Sequence, residues 1–92
     1  MYLLNQKSPI EISKIIAKNV KAKRKKLKFS QQKLAEKSSV SLASIKRFEN
    51  KFEISLVSLL KIAIALDCES DFENLFIQKT YSSINEVINE QL

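Results

Sequence analysis

The side chains of this sequence that can do chemistry are mostly cations, and most of them sit in one half. Lys21, Lys23, Lys25, Lys26, Lys28 and Lys33 crowd one stretch, with Lys46 and Arg47 further on. Ammonium and guanidinium groups at this density neutralise phosphates, and an arginine fork also suits the O6 and N7 edge of guanine. From Met1 to Lys51 there are 14 Lys and Arg against 3 Asp and Glu, a balance of +11, whereas the remainder carries 2 against 7, a balance of −5, within a total of +6. One half is therefore suited to a polyanion, nucleic acid or an anionic membrane, and the other half to something else.

Other chemistries find little material. There is no histidine, no glycine-rich phosphate loop and no carboxylate pair placed for acid–base work, so no catalytic residue is expected and the chain is read as no enzyme. The single cysteine, Cys68, has no partner for an internal disulfide and no histidine to share a metal with, so neither a metal nor a cofactor is expected. It reads as a small, nearly buried residue at a helix end. Ninety-two residues make one compact domain. No apolar run nears the roughly 20 residues that cross a bilayer, and "MYLLNQKSPIEISK" lacks the features of a signal peptide, so the expectation is a cytoplasmic protein with no membrane partner.

The elements that must position these cations are helices. "SPIE" offers Ser8 as N-cap, Pro9 at the first helical position and Glu11 to close a capping box; Ile12, Ile15, Ile16, Val20 and Leu27 then fall mostly on one face, which predicts a helix to about Lys26. Three further starts share a pattern of apolar residue, serine, and apolar residue four places on: Phe29, Ser30 and Leu34; Val40, Ser41 and Ile45; Ile54, Ser55 and Leu59. Each is an N-cap with a hydrophobic staple. Ser70 to Glu73 predicts another start, for a short helix through Phe76, and Ser83 to Glu86 one more in the tail. No stretch alternates as a strand does, so the fold class is all-α.

The helices predicted at about Ser30 to Lys37 and Ser41 to Asn50 are so close that they must cross steeply, as in a helix-turn-helix. On a wheel at 100° per residue, Phe48 and Glu49 lie within about 60° of Ile45, while Ala43, Lys46, Arg47 and Asn50 lie opposite. Ile45 and Phe48 anchor this helix, and its other face projects outward.

With these elements in place, "NVKAKRKKLKFSQQKLAEKSSVSLASIKRFEN" resembles the first three helices of the phage-repressor and Cro-like (XRE-type) helix-turn-helix family, and "SLVSLLKIAIALDCESDFENLF" resembles the fourth and fifth. The resemblance implies a compact five-helix, lambda repressor-like DNA-binding domain at residues 9–76, with an N-terminal arm at 1–8 and a short helical tail at 77–92. It implies base-edge contacts from Ser41, Leu42, Ala43, Ser44, Lys46 and Arg47, and phosphate contacts from Ser30, Gln31, Lys33, Asn50 and Lys28. Arg24 and Glu49 match a structural ion pair between the first and third helices. Family turns that commonly carry glycine have Lys28, Ser39 and the Lys51–Phe52 region here, which puts their geometry in question, since the chain contains no glycine.

The acidic half holds more apolar surface than a minimal five-helix core needs. Phe72, Leu75, Phe76 and Ile77, with Ile84, Val87 and Ile88 in the tail, are expected to form a dimer contact, dock a partner or cover the core. "IKRFENKFEISLVSLLKIAIALDCESDFENLF" is similar to the HipB-type antitoxins. That similarity implies a homodimeric repressor of its own operon, bound to inverted-repeat double-stranded DNA, with a HipA-like kinase toxin and, in three-component versions, a third small subunit as partners. The alternatives are a stand-alone repressor of phage or restriction-modification control type, and, from another class, a protein-interaction module with a basic face.

Overall fold

The computed structural model describes residues 6–78. Five helices follow one another: α1 (Pro9–Lys26), α2 (Gln31–Ser38), α3 (Leu42–Lys51), α4 (Leu56–Ala65) and α5 (Glu69–Glu73), with no strand among the described residues. The expected tail helix from Ser83, with Ile84, Val87 and Ile88, lies outside the described residues, as do the first five residues of the arm.

The first four helices begin where serine can satisfy their unpaired amides. The hydroxyl oxygen of Ser8 accepts from the Glu11 amide at 3.2 Å, Ser30 from Lys33 at 3.0 Å, Ser41 from Ser44 at 3.1 Å and Ser55 from Ser58 at 3.1 Å. Each such cap contributes about 1 kcal/mol. The staples close as well: Phe29 and Val40 pack with Leu34, Ile45, Ile62 and Leu66 in one cluster, and Ile54 packs against both this cluster and the one that holds Leu59. A second cluster joins Ala17 of α1, Phe48 of α3 and Leu59 of α4, with Phe72 of α5 against it. Leu34, Ile45 and Ile62 are essentially sealed from solvent, worth about 1.5–3 kcal/mol each in burial.

Two expectations need correcting. α5 starts at Glu69 with Cys68 in the capping position and no side-chain cap, and it ends at Glu73, so Ser70 lies inside the helix and Phe76 beyond it. The preceding turn explains the shift: Asp67 is left-handed at φ 59° and the Cys68 amide donates back to Ala63 at 2.8 Å, which turns the chain two residues before the serine. On α1, the expected apolar face is largely open, with Ile12, Ile15, Ile16 and Leu27 all exposed. Of that face Val20 alone packs on both clusters; Ala17 and Arg24 join it against the neighbouring helices, the small alanine allowing α1 to approach Phe48 closely.

The lack of glycine does not prevent the left-handed turns; it fills them with other residues. Lys28, Ser39, Phe52, Asp67 and Phe76 all have φ between 59° and 65°. The steric cost is about 1–2 kcal/mol each, and at Lys28 and Phe52 the turn's hydrogen bonds and packing offset it. Lys28 sits in a Schellman closure in which the Phe29 amide reaches the Arg24 carbonyl at 3.1 Å. Phe52 has its ring half-buried on the second cluster, with the Lys14 ammonium 5.9 Å from the ring centre.

Candidate nucleic-acid interface

The α2–α3 pair is joined by Ser39, Val40 and Ser41 alone. Ser39 turns the chain in the left-handed region, the buried Ser38 hydroxyl accepts from the Val40 amide at 3.2 Å, and buried Val40 fixes the entry of α3. Ile45 and Phe48 then pin α3 to the core, at 1% and 2% exposure. Rotation about that anchor leaves Ala43, Lys46, Arg47 and Asn50 exposed on the opposite side, with Leu42 and Ser44 half-buried at its edge. Ser41 is exposed, but its hydroxyl is already engaged: it accepts from the Ser44 amide and donates to the Ser44 hydroxyl oxygen at 2.8 Å. The first turn of α3 is thus a low, largely apolar step, and Lys46 and Arg47 stand above it.

A carboxylate ties this helix to the rest of the surface. Glu49 is 2% exposed at its side chain and accepts from Arg24 Nε at 2.8 Å and from its Nη2 at 3.1 Å. The remaining Arg24 terminal nitrogen donates to the Phe29 carbonyl at 2.7 Å. Gln31, the first residue of α2, donates its side-chain amide to Glu49 at 3.0 Å. One buried charge pair therefore links α1, α2 and α3, and a guanidinium that is paired and hydrogen-bonded at all three nitrogens is a form in which an arginine tolerates burial. The Gln31 contact leaves one of its two amide hydrogens pointing elsewhere, at a helix N-terminus whose backbone amides favour an anion.

Of the other expected phosphate residues, Ser30, Lys28, Lys33 and Asn50 are all exposed. The lysines of α1 divide. Lys21 and Lys25 share the flank of Lys14, which leans over Phe52 just after α3, when placed at 100° per residue. Lys23 stands on the other flank, lining a cleft of about 470 Å³ with Ile16, Val20, Leu59 and Phe72. Lys23 thus lies on the flank of α1 opposite Lys14, Lys21 and Lys25.

The residues expected at a dimer or partner contact also divide. Phe72 is half-buried against the core, whereas Leu75, Phe76 and Ile77 are exposed, Phe76 completely. Sequence reasoning missed three residues of the same kind on α4, Leu56, Val57 and Ile64, each more than 60% exposed. "LVSLLKIAIA" is apolar except for Ser58 and Lys61, so its periodicity marks the open side only by that one lysine. It also missed Glu53, which meets Arg47 at 2.7 Å from the loop after α3; a spacing of six residues has no helical signature.

Among the described residues no cluster of acidic or cysteine side chains is set to hold a metal, and no helix is long and apolar enough to cross a membrane. No curated protein and no solved structure matches the chain. The sequence model described as Helix-turn-helix matches residues 20–72, from the middle of α1 to α5 and more than half of the chain. That span contains the capped α2, the three-residue turn, the anchored α3 and the charge pair beneath it, and with them the chain belongs to the helix-turn-helix family of DNA-binding transcription regulators.

Proposed function

We propose that the chain is a sequence-specific transcriptional repressor that binds an inverted-repeat operator as a two-fold dimer, with α3 of each protomer in a major groove. The observation that carries this reading is the outward face of α3: a short apolar step under Lys46 and Arg47, held beside the α2 N-terminus by the Glu49 carboxylate. Leu42 and Ala43 meet thymine methyl groups, Arg47 forks onto guanine, and Ser41, Ser44 and Lys46 complete the base contacts. Ser30, Gln31, Lys28, Lys33 and Asn50 hold the phosphates and so set the register. The exposed Val57, Ile64, Leu75, Phe76 and Ile77 supply apolar surface for a second copy or another protein.

The same reading extends to an antitoxin that represses its own operon and binds a HipA-like kinase toxin, with a third small subunit in a three-component system. It is supported by the resemblance of "IKRFENKFEISLVSLLKIAIALDCESDFENLF" to HipB-type antitoxins and by that unpartnered apolar surface. Co-purification with the product of an adjacent kinase-like gene separates it from a stand-alone repressor.

Selection from random duplexes tests the DNA reading. The expected product is an inverted repeat with half-site centres about 34–36 Å apart, each half-site carrying a guanine beside thymine-rich steps. Arg47→Ala is expected to cost about 1–3 kcal/mol on that duplex and to relax preference at the guanine. Selection that returns no shared sequence, or equal losses on selected and random DNA, contradicts the assignment.

A further inference from the structure

Glu53 is an acid on a surface otherwise suited to phosphate. Of the two carboxylates in α3 and the loop that follows it, Glu49 is buried against Arg24, so Glu53 is the one that meets solvent. The left-handed turn at Phe52 reverses the chain after α3 and brings Glu53 back alongside it. There its Oε1 accepts from a terminal nitrogen of Arg47 at 2.7 Å, with both side chains about two-thirds exposed. The pair borders a shallow hollow with Ser44, Ile54, Ser55 and Ser58, next to the outward face of α3.

An ion pair this exposed adds little to stability. Its physical consequence falls on the arginine. An untethered guanidinium on a DNA-facing surface takes whichever phosphate is nearest, a contact blind to sequence. Held by one terminal nitrogen, it keeps its remaining N–H donors in a fixed plane, so less side-chain freedom is lost when it forks onto a base edge. The carboxylate also repels a phosphate that approaches the same arginine, a penalty that falls on wrong contacts more than on a base edge.

We propose that Glu53 is a positioning residue for DNA recognition, holding Arg47 for a guanine edge and away from the phosphate backbone. The inference rests on the reading of Arg47 as a base contact. It assigns sequence discrimination to a residue that touches no base.

The test is a double-mutant cycle of Glu53→Gln and Arg47→Ala, with equilibrium affinities measured at one salt concentration for the selected duplex and for a random duplex of equal length. Glu53→Gln is expected to leave the melting temperature within a degree or two, to tighten binding to random DNA, and to lower the selected-to-random affinity ratio by about threefold to fivefold per half-site. In the Arg47→Ala background the same substitution should leave that ratio unchanged. A ratio unaltered by Glu53→Gln alone, or lowered equally in both backgrounds, overturns the positioning role while leaving Arg47 as a base contact. A ratio unaltered by Arg47→Ala overturns the base contact itself, and the positioning role with it.

Discussion

Glu49→Ala is expected to destabilise the domain by about 3–5 kcal/mol, because it strands the Arg24 guanidinium in a site that is closed to water. Arg24 is 7% exposed, and all three of its side-chain nitrogens are committed: two to Glu49 and one to the Phe29 carbonyl. Removing the carboxylate also takes the acceptor from Gln31. For a domain of this size each kcal/mol moves the melting temperature by about 4–8 °C, so thermal unfolding should fall by at least about 12 °C. The loss belongs to the uncompensated charge rather than to net stabilisation by the pair. Replacing Arg24 and Glu49 together by leucine should therefore cost less than the two single changes added. A Glu49→Ala variant that melts within a degree of the parent contradicts the buried-pair account.

Binding to any duplex is expected to weaken steeply with salt. Lys28 and Lys33 are exposed near the α2 N-terminus, and Lys21 and Lys25 share the flank of Lys14, whose ammonium lies over Phe52 just after α3. With about three phosphates neutralised per protomer and about six per dimer, the slope of log affinity against log salt should be near −5, roughly a thousandfold loss between 50 and 200 mM. Lys33→Ala should flatten that slope by about two units in the dimer and weaken selected and random duplexes alike. The uniform loss separates Lys33 from Arg47, whose removal should be felt on the selected duplex alone. A slope flatter than about −2 would place the basic half elsewhere than on the DNA backbone.

Much of the scaffold was legible in residue order because its signals are local. A serine between two apolar residues of the right spacing caps and staples a helix whatever the tertiary context, and Ser30, Ser41 and Ser55 do so here. α5 was misread for the same reason. Its start is set by the left-handed turn at Asp67, a residue with no glycine to advertise it, and the serine-to-glutamate pattern one turn later has no cap to make. The anchored side of α3 followed from periodicity, whereas the sides of α1 and α4 did not. On α1 only Ala17, Val20 and Arg24 reach the core, and an alanine and an arginine are not what an apolar stripe search finds.

The interface divides along the same line. Which α3 residues face outward is a property of one helix and was readable from it. The contacts that aim them cross the chain: Arg24 to Glu49 spans 25 residues and Gln31 to Glu49 spans 18. The first was visible only through family resemblance, and the second, like Glu53 against Arg47, not at all. Such contacts need the fold, because the left-handed turns at Ser39 and Phe52 decide which side chains meet.

A helix that reads a sequence ranks duplexes differently from one that merely rests on a polyanion. The measurement that separates the two is the affinity of the protein for the selected inverted repeat against that for random DNA of equal length, at about 0.15 M salt. A ratio of at least about a thousand in favour of the selected duplex is expected. A ratio near one, with binding governed by salt alone, would contradict sequence reading by α3.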